Sequence, residues 1–280
     1  MAAETLALPS LETPLAQTFA RVREVNSYLQ VHLSAPEDRE SWPLPSLCAP
    51  ASPALGEHLA IMAREYKTDN PDVLVRFYFS GIAYALASAA VGAFMVARRV
   101  PNLDLTALSL TVGSWGGPDA IVLGDGVFHC LADDPAAGDA NARPVADLDA
   151  LRDLLREGLI AIYAPLIDTL RQRGRVGARA LWIAAAETCA SVLVDALQRD
   201  TPELEAQAEV QALIGQASST LRARPEVFAV QVGDKSGLIV LGHDCCRNFK
   251  IAGEAYCNSC PHRPREERVA ALKAWIADRE

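Results

Sequence analysis

Apolar residues recur at helical spacing over much of the chain, and two of these segments begin with a capping residue followed by proline. Thr13-Pro14 and Asn70-Pro71 each place a side-chain acceptor before a proline suited to the first helical position. These pairs predict helices that run to about Gln30 and Arg99.

Helical spacing returns in the second half of the chain. Over residues 145–175 it is interrupted by Pro165, which is expected to kink or split the helix because proline has no amide donor. Further helices are predicted over residues 177–198, after Thr201-Pro202, and from Pro264 to the end of the chain.

Strand patterns occupy two regions between the helices. Residues 103–112 alternate in part, residues 113–120 have the composition of a turn, and residues 120–132 are rich in strand-forming side chains. Residues 133–142 are the best loop candidate. Residues 227–232 and 237–242, separated by Gly-Asp-Lys-Ser, predict a strand pair. The fold class is therefore α+β: a predominantly helical body with a small antiparallel sheet and a C-terminal cysteine-rich segment.

Residues 77–97 carry no charge and are long enough to cross a membrane. Ala, Gly, Ser and Tyr dominate this run, and Arg76 and Arg98-Arg99 leave both of its flanks positive. A buried core helix is favoured, although peripheral association with the inner membrane face stays open. No basic leader precedes an apolar run at the start, so we expect a cytoplasmic protein whose thiols are reduced.

Composition excludes one large class of partner. The 280 residues are 50% apolar, enough for one large domain or two modest ones, and the net charge is -9. Nucleic acid is an unfavoured partner, because phosphate binding needs clustered Lys and Arg. No dinucleotide-binding or Walker phosphate loop is present in the sequence.

Four of the seven cysteines lie within sixteen residues, as Cys245, Cys246, Cys257 and Cys260. A disulfide framework is disfavoured by the compartment, and a redox-active dithiol at the Cys-x-x-Cys pair lacks the usual strand–helix setting. Zinc and an iron–sulfur cluster both remain. Iron–sulfur is favoured because adjacent side chains such as Cys245 and Cys246 chelate a single ion poorly.

The arrangement Cys-Cys, ten residues, Cys, two residues, Cys, followed by Pro261, resembles the C-terminal motif of the FhuF family of ferric siderophore reductases. The resemblance implies that the four cysteines hold a 2Fe–2S cluster. It also implies an oxidoreductase of iron uptake that passes one electron to chelated Fe(III) and releases Fe(II) in the cytosol. Residues 1–241 would then be the siderophore-binding body and residues 242–280 the cluster segment with the terminal helix.

The partners implied are a ferric siderophore and an external electron donor, either a flavoprotein, a ferredoxin or a small reductant. The electron transfer makes chemical sense, because hard oxygen donors lose their preference for iron once Fe(III) becomes Fe(II). Two rivals remain: a siderophore-related binding protein with a structural zinc site, and a siderophore synthetase, for which the chain lacks a nucleotide motif.

Several other residues receive a more ordinary interpretation. His243 and His262 flank the motif and are taken as hydrogen-bond donors near the cluster or as surface residues. Two sets are expected in the core, namely the scattered cysteines Cys48, Cys130 and Cys189 and the aromatic residues Trp115, Tyr163 and Trp182. A weaker hypothesis rests on the basic excess around the motif, which would stabilise a reduced cluster or dock an anionic partner. That excess comprises Arg247, Lys250, Arg263, Arg265 and Arg268 against Glu254, Glu266 and Glu267.

Overall fold

The structure is a computed structural model, and it describes residues 13–197 and 201–277. Over those residues its α-helices are α1 (Pro14–Val25), α2 (Leu44–Leu47), α3 (Pro53–Glu65), α4 (Pro71–Ala97), α5 (Leu148–Leu170), α6 (Ala178–Asp195), α7 (Glu203–Ile214) and α8 (Arg265–Ala277). Its strands are β1 (Val31–His32), β2 (Ser41–Pro43), β3 (Arg99–Pro101), β4 (Leu108–Val112), β5 (Pro118–Leu123), β6 (Phe128–Leu131), β7 (Ala142–Val145), β8 (Glu226–Val232) and β9 (Lys235–Leu241). The α+β class predicted from the sequence is confirmed.

The helix starts agree with their capping signals. Thr13 accepts a hydrogen bond from the Ala16 amide at 3.2 Å, and Asn70 accepts one from the Asp72 amide at 3.1 Å. The predicted end of α1 was several residues too late. Asn26 leaves the helical conformation and its side chain binds the Tyr28 amide at 3.0 Å, which turns the chain.

Pro165 does not split α5, which continues to Leu170. One face of this helix is buried on both sides of the proline, through Leu159 and Ile162 before it and Leu166 after it. Burial of that continuous apolar face outweighs the single missing amide donor, so tertiary packing overrides the local signal.

The sheets are more mixed than the sequence predicted. Strands β4 and β5 pair antiparallel as expected, within a sheet ordered β1-β5-β4-β2. However, β1 pairs parallel to β5, and β6 belongs to a second sheet, β3-β6-β7, where it pairs parallel to β7. The strands that add parallel pairs are short, and β1 is only two residues long, so neither shows the alternation that marks a strand.

Helix α4 is the central element of the body. It packs against α1, α5, α6 and strand β5, and it is buried around most of its circumference. Gly92 allows α1 to approach closely, because a Cβ there would lie 2.8 Å from Val22 Cγ1. Among the described residues α4 alone is long and apolar enough to cross a membrane, and 72% of its most apolar window is buried inside the fold. This burial is what the core-helix interpretation predicts.

The C-terminal part begins with the predicted strand pair. Strands β8 and β9 form an antiparallel hairpin in which Val232 faces Lys235. The hairpin packs on α6 and α7, and Gln207 of α7 accepts a hydrogen bond from the Val227 amide at 3.0 Å. Strand β9 therefore ends beside α6, and the cysteine-rich residues follow directly after it in the chain.

Candidate metal centre

The cysteine segment, which we define as residues 242–264, lies between β9 and α8. It contains a short 3₁₀ turn, Asn248–Lys250, and a left-handed turn at Gly253 with φ of 86°. All four predicted ligands are free thiols. Cys260 is 1% exposed, whereas Cys245, Cys246 and Cys257 are partly exposed.

Two of the four sulfurs already lie at the spacing that a metal needs. Cys246 Sγ and Cys257 Sγ are 3.6 Å apart. Two thiolates on one tetrahedral metal, each about 2.3 Å from it, are separated by about 3.8 Å. One sulfur from the adjacent pair, Cys246, and one from the Cys-x-x-Cys pair, Cys257, are thus close enough to bind the same metal ion.

Across residues 13–197 and 201–277, no three side chains of His, Cys, Asp or Glu are grouped so that they could hold one ion. Cys246 and Cys257 are the two predicted ligands with sulfurs close enough to share one ion, and an iron–sulfur cluster would hold four thiolates, two on each iron. The backbone amide of Asn248 approaches Cys246 Sγ at 3.5 Å. Amide contacts to ligand sulfurs are one of the factors that set the potential of such clusters.

The pKa values of two of the four thiols are raised in the metal-free protein. Burial raises the pKa of Cys257 to about 12, and the neighbouring Cys246 thiol adds to this effect. Burial likewise raises the pKa of Cys245. These two thiols are therefore protonated at neutral pH without metal, and a metal that bound them would have to displace their protons.

Glu187 of α6 holds the start of the cysteine segment. Its carboxylate is largely buried and accepts hydrogen bonds from the backbone amides of His243 at 2.8 Å and Asp244 at 2.9 Å. Burial raises the pKa of Glu187, although the two amides oppose that shift. Gly242 is required beside it, because a Cβ there would lie 1.9 Å from the carboxylate.

Two charged residues of α4 hold the same segment. Arg76, which is 4% exposed, pairs with Asp244 and also donates to Ser80. Asp72 pairs with Arg247 at 2.9 Å and Lys250 at 3.6 Å. These pairs join both halves of the loop around Cys245 and Cys246 to the central helix.

Several groups determine the protonation of Asp72. Burial would raise its pKa, but the Arg175 amide at 2.7 Å and the cations Arg247 and Lys250 hold it below its usual value. Arg247 itself adopts a left-handed conformation, with φ of 64°, which is uncommon for a residue other than glycine.

Helix α8 closes the segment from the other side. The side chain of Arg268, which is buried, donates to the carbonyl oxygen of Ser259 at 3.1 Å and to that of Gly242. The Arg268 guanidinium thus holds the first residue of the segment, Gly242, close to Ser259, the residue before Cys260.

The two histidines that flank the motif, His243 and His262, lie in different surroundings. The side chain of His243 is 75% exposed; its backbone amide donates to Glu187 at 2.8 Å, and its Nδ1 lies 4.0 Å from the same carboxylate. The ring of His262 stacks with Tyr256 at 5.8 Å and meets Phe249 edge-on at 5.1 Å. His243 is therefore a surface side chain, and His262 packs within an aromatic cluster of the segment.

The basic excess predicted around the motif is largely balanced by carboxylates. Arg247 and Lys250 pair with Asp72, while Arg263 pairs with Glu267. Arg265 likewise pairs with Glu226 of β8. The excess was counted along the sequence, whereas two of the compensating carboxylates come from distant elements. It therefore provides little free positive charge to dock an anionic partner.

The remaining predicted core residues lie largely where expected. Cys130 and Cys189 are fully buried, while Cys48 is partly buried. Tyr163 is fully buried and meets Trp182 edge-on, with ring centroids 6.4 Å apart. Trp115 similarly meets Tyr66, at 6.2 Å.

Sequence reasoning missed the residues that anchor the segment, above all Glu187, Arg76 and Asp72. A signal was present for two of them, because Arg76 and Glu187 are charges within otherwise apolar helical runs. Charges that become buried in this way require a partner. The sequence alone did not indicate that the partner would be the cysteine segment.

Comparison with protein-family models finds no match for this chain, and comparison with curated proteins finds no significant similarity.

Proposed function

We propose that the protein is a ferric siderophore reductase whose residues Cys245, Cys246, Cys257 and Cys260 hold a 2Fe–2S cluster. The observation that carries the proposal is the approach of Cys246 and Cys257, 3.6 Å apart, within a segment that buried charges fasten to the body. When bound, the cluster supplies one electron at a time to chelated Fe(III).

The chain's own residues hold and shield that centre. Glu187 and Arg76 fix the backbone on the N-terminal side of Cys245, and Arg268 fixes it beside Cys260. The Asn248 amide faces the Cys246 sulfur and would stabilise negative charge there. Cys260 is shielded from water, while the partly exposed cysteines leave a route for electrons to enter and leave.

The overall reaction transfers one electron from an external donor to the ferric complex. A flavoprotein, a ferredoxin or a small reductant supplies the electron, and the complex leaves as Fe(II), which hard oxygen donors hold weakly. The proposal places this reaction in the cytoplasm.

The test is a visible absorption spectrum of protein purified without oxygen, recorded before and after dithionite, with iron, sulfide and zinc assayed on the same sample. We expect bands that bleach on reduction, two irons and two sulfides per chain, and return of the bands when a ferric siderophore is added. A colourless protein that contains one zinc and resists cluster reconstitution would overturn the proposal, leaving a binding protein with a structural zinc site.

A further inference from the structure

A cleft lies beside the cysteine segment and is formed by two adjoining cavities. The larger has a volume of about 910 Å³ and is lined by residues that include Tyr28, Tyr84 and Trp275. The smaller has a volume of about 270 Å³ and is lined in part by Tyr84 and Ser191. Because Tyr84 lines both, we call the two together the Tyr84 cleft. The larger cavity is within the size range of small-molecule sites.

The inner end of the Tyr84 cleft reaches the proposed cluster ligands. Asp244 and Ser259 line the smaller cavity, and they are the immediate chain neighbours of Cys245 and Cys260. Neighbouring Cα atoms are about 3.8 Å apart, so a ligand in the smaller cavity would lie directly against the segment. A bound chelate would therefore be close to the electron source.

The wall of the cleft is suited to an organic chelate. Tyr28 and Trp275 are 61% and 45% exposed, which is unusual for residues of this size. Thr188, Ser191 and Ser259 add hydroxyl groups at the inner end. Exposed rings with a few polar groups are typical of sites that bind small molecules with apolar and oxygen-rich parts.

The charge of the cleft is predominantly negative. Its charged lining residues are Glu24, Glu187, Asp195, Lys235 and Asp244. Behind the smaller cavity Arg76 pairs with Asp244, and Arg268 donates to the carbonyl oxygens of Gly242 and Ser259. The excess of negative charge therefore lies in the larger cavity, where Glu24 and Asp195 outnumber Lys235. The cluster with its four thiolates would add further negative charge. An anionic ligand would be repelled from such a wall.

We propose that the Tyr84 cleft is the substrate site and that it selects neutral or cationic ferric complexes over anionic ones. This inference rests on the proposed reductase function, since it names the substrate class for that reaction.

Binding is measured separately from electron transfer by using gallium(III) in place of iron(III), because gallium keeps the charge and shape of the complex but does not accept the electron. The probes are the gallium complex of desferrioxamine B, which is cationic, and the same complex with its amine succinylated, which is anionic. Isothermal titration calorimetry on the full-length holoprotein gives both affinities. We expect the cationic complex to bind about fivefold more tightly, and the difference to shrink in high salt.

Two variants locate the site. Gly237 lines the larger cavity, and an added Cβ there meets nothing within 4 Å, so Gly237→Tyr adds a ring at an open position of the cleft wall. We expect it to weaken binding of the cationic complex by about tenfold or more. The matched control is Gly138→Tyr, at an equally open position on the loop between β6 and β7. Glu24→Lys should reverse the preference between the two probes.

Unchanged affinity in Gly237→Tyr, or tighter binding of the succinylated complex by the unmodified protein, would overturn the proposal. The fate of the reductase function is read from the iron(III) forms of the same probes. If the iron(III) complexes re-oxidise dithionite-reduced Gly237→Tyr as fast as the unmodified protein, the reductase function stands and the assignment of the cleft as the substrate site is wrong. If the cleft binds gallium complexes but the iron forms never re-oxidise the protein, the function fails while the cleft assignment stands.

Discussion

The body around α4 and the cysteine segment are stabilised by different kinds of interaction. Helix α4 buries its own apolar side chains on nearly all sides, Ile82 and Phe94 among them. The cysteine segment is anchored mainly by a few charged contacts, those of Glu187, Arg76 and Asp72 among them. Apolar burial requires no ligand, whereas the proposed cluster site would be completed only when its metal is bound. The body should therefore fold without metal, while the segment should depend on it.

The largest expected effect concerns a single ligand. Replacing Cys257 by Ser should reduce bound iron to a tenth or less of the original content, because the sulfur that meets Cys246 is lost. The far-ultraviolet circular dichroism of the body should change little. Iron and sulfide assays together with the dichroism spectrum check both statements. Cys48→Ser, outside the segment, is the control and should keep its iron; equal iron in both variants would refute the ligand assignment.

The second effect is on the body. Ile82→Ala removes a fully buried side chain from α4, and the loss of apolar burial plus the cavity should lower the free energy of unfolding by about 3 kcal/mol. Urea denaturation measures this change. Leu204→Ala, at a side chain that is 85% exposed, should change stability by less than about 0.5 kcal/mol. Iron content per folded chain should be the same in both, and a selective loss of iron in Ile82→Ala would contradict the separation of the two regions.

A smaller effect is expected where the two regions meet. The two carboxylate oxygens of Glu187 accept hydrogen bonds from two backbone amides. Glu187→Gln replaces one of these oxygens by an NH2 group, so one amide loses its acceptor. We expect iron to be released to a chelator about tenfold faster, with little change in the stability of the body. Glu157→Gln, at an exposed position of α5, is the matched control. Equal release rates in the two variants would show that Glu187 does not hold the segment.

The smallest effect is a pH dependence. The pKa of Asp72 is lower in the folded protein than the ordinary value of 3.8, so its contacts contribute stability that is complete above that value and is lost as the pH falls below it. Asp72→Asn removes this contribution and should flatten the acid side of the stability profile. Urea denaturation of the metal-free protein between about pH 3 and pH 6 tests this. If the unmodified protein and Asp72→Asn lose stability in parallel below about pH 4, Asp72 is not the cause of the pH dependence.

Much of the fold was predictable because its signals are local. The caps at Thr13 and Asn70, the β8–β9 hairpin and the long apolar run of α4 all involve residues close together in the chain. The prediction was wrong where a distant segment intervened, as when β1 and β7 added parallel partners to the sheets. Pro165 likewise remains within α5 because of packing that no local pattern reveals.

The sequence by itself determined the chemical inventory of the site, since four cysteines in sixteen residues are visible without coordinates. Only the tertiary structure decided what holds them. Arg76 and Asp244 are 168 positions apart, and Glu187 and His243 are 56 apart. Contacts over such separations follow from how α4, α6 and the hairpin pack, because the burial of their apolar faces brings those charged groups together.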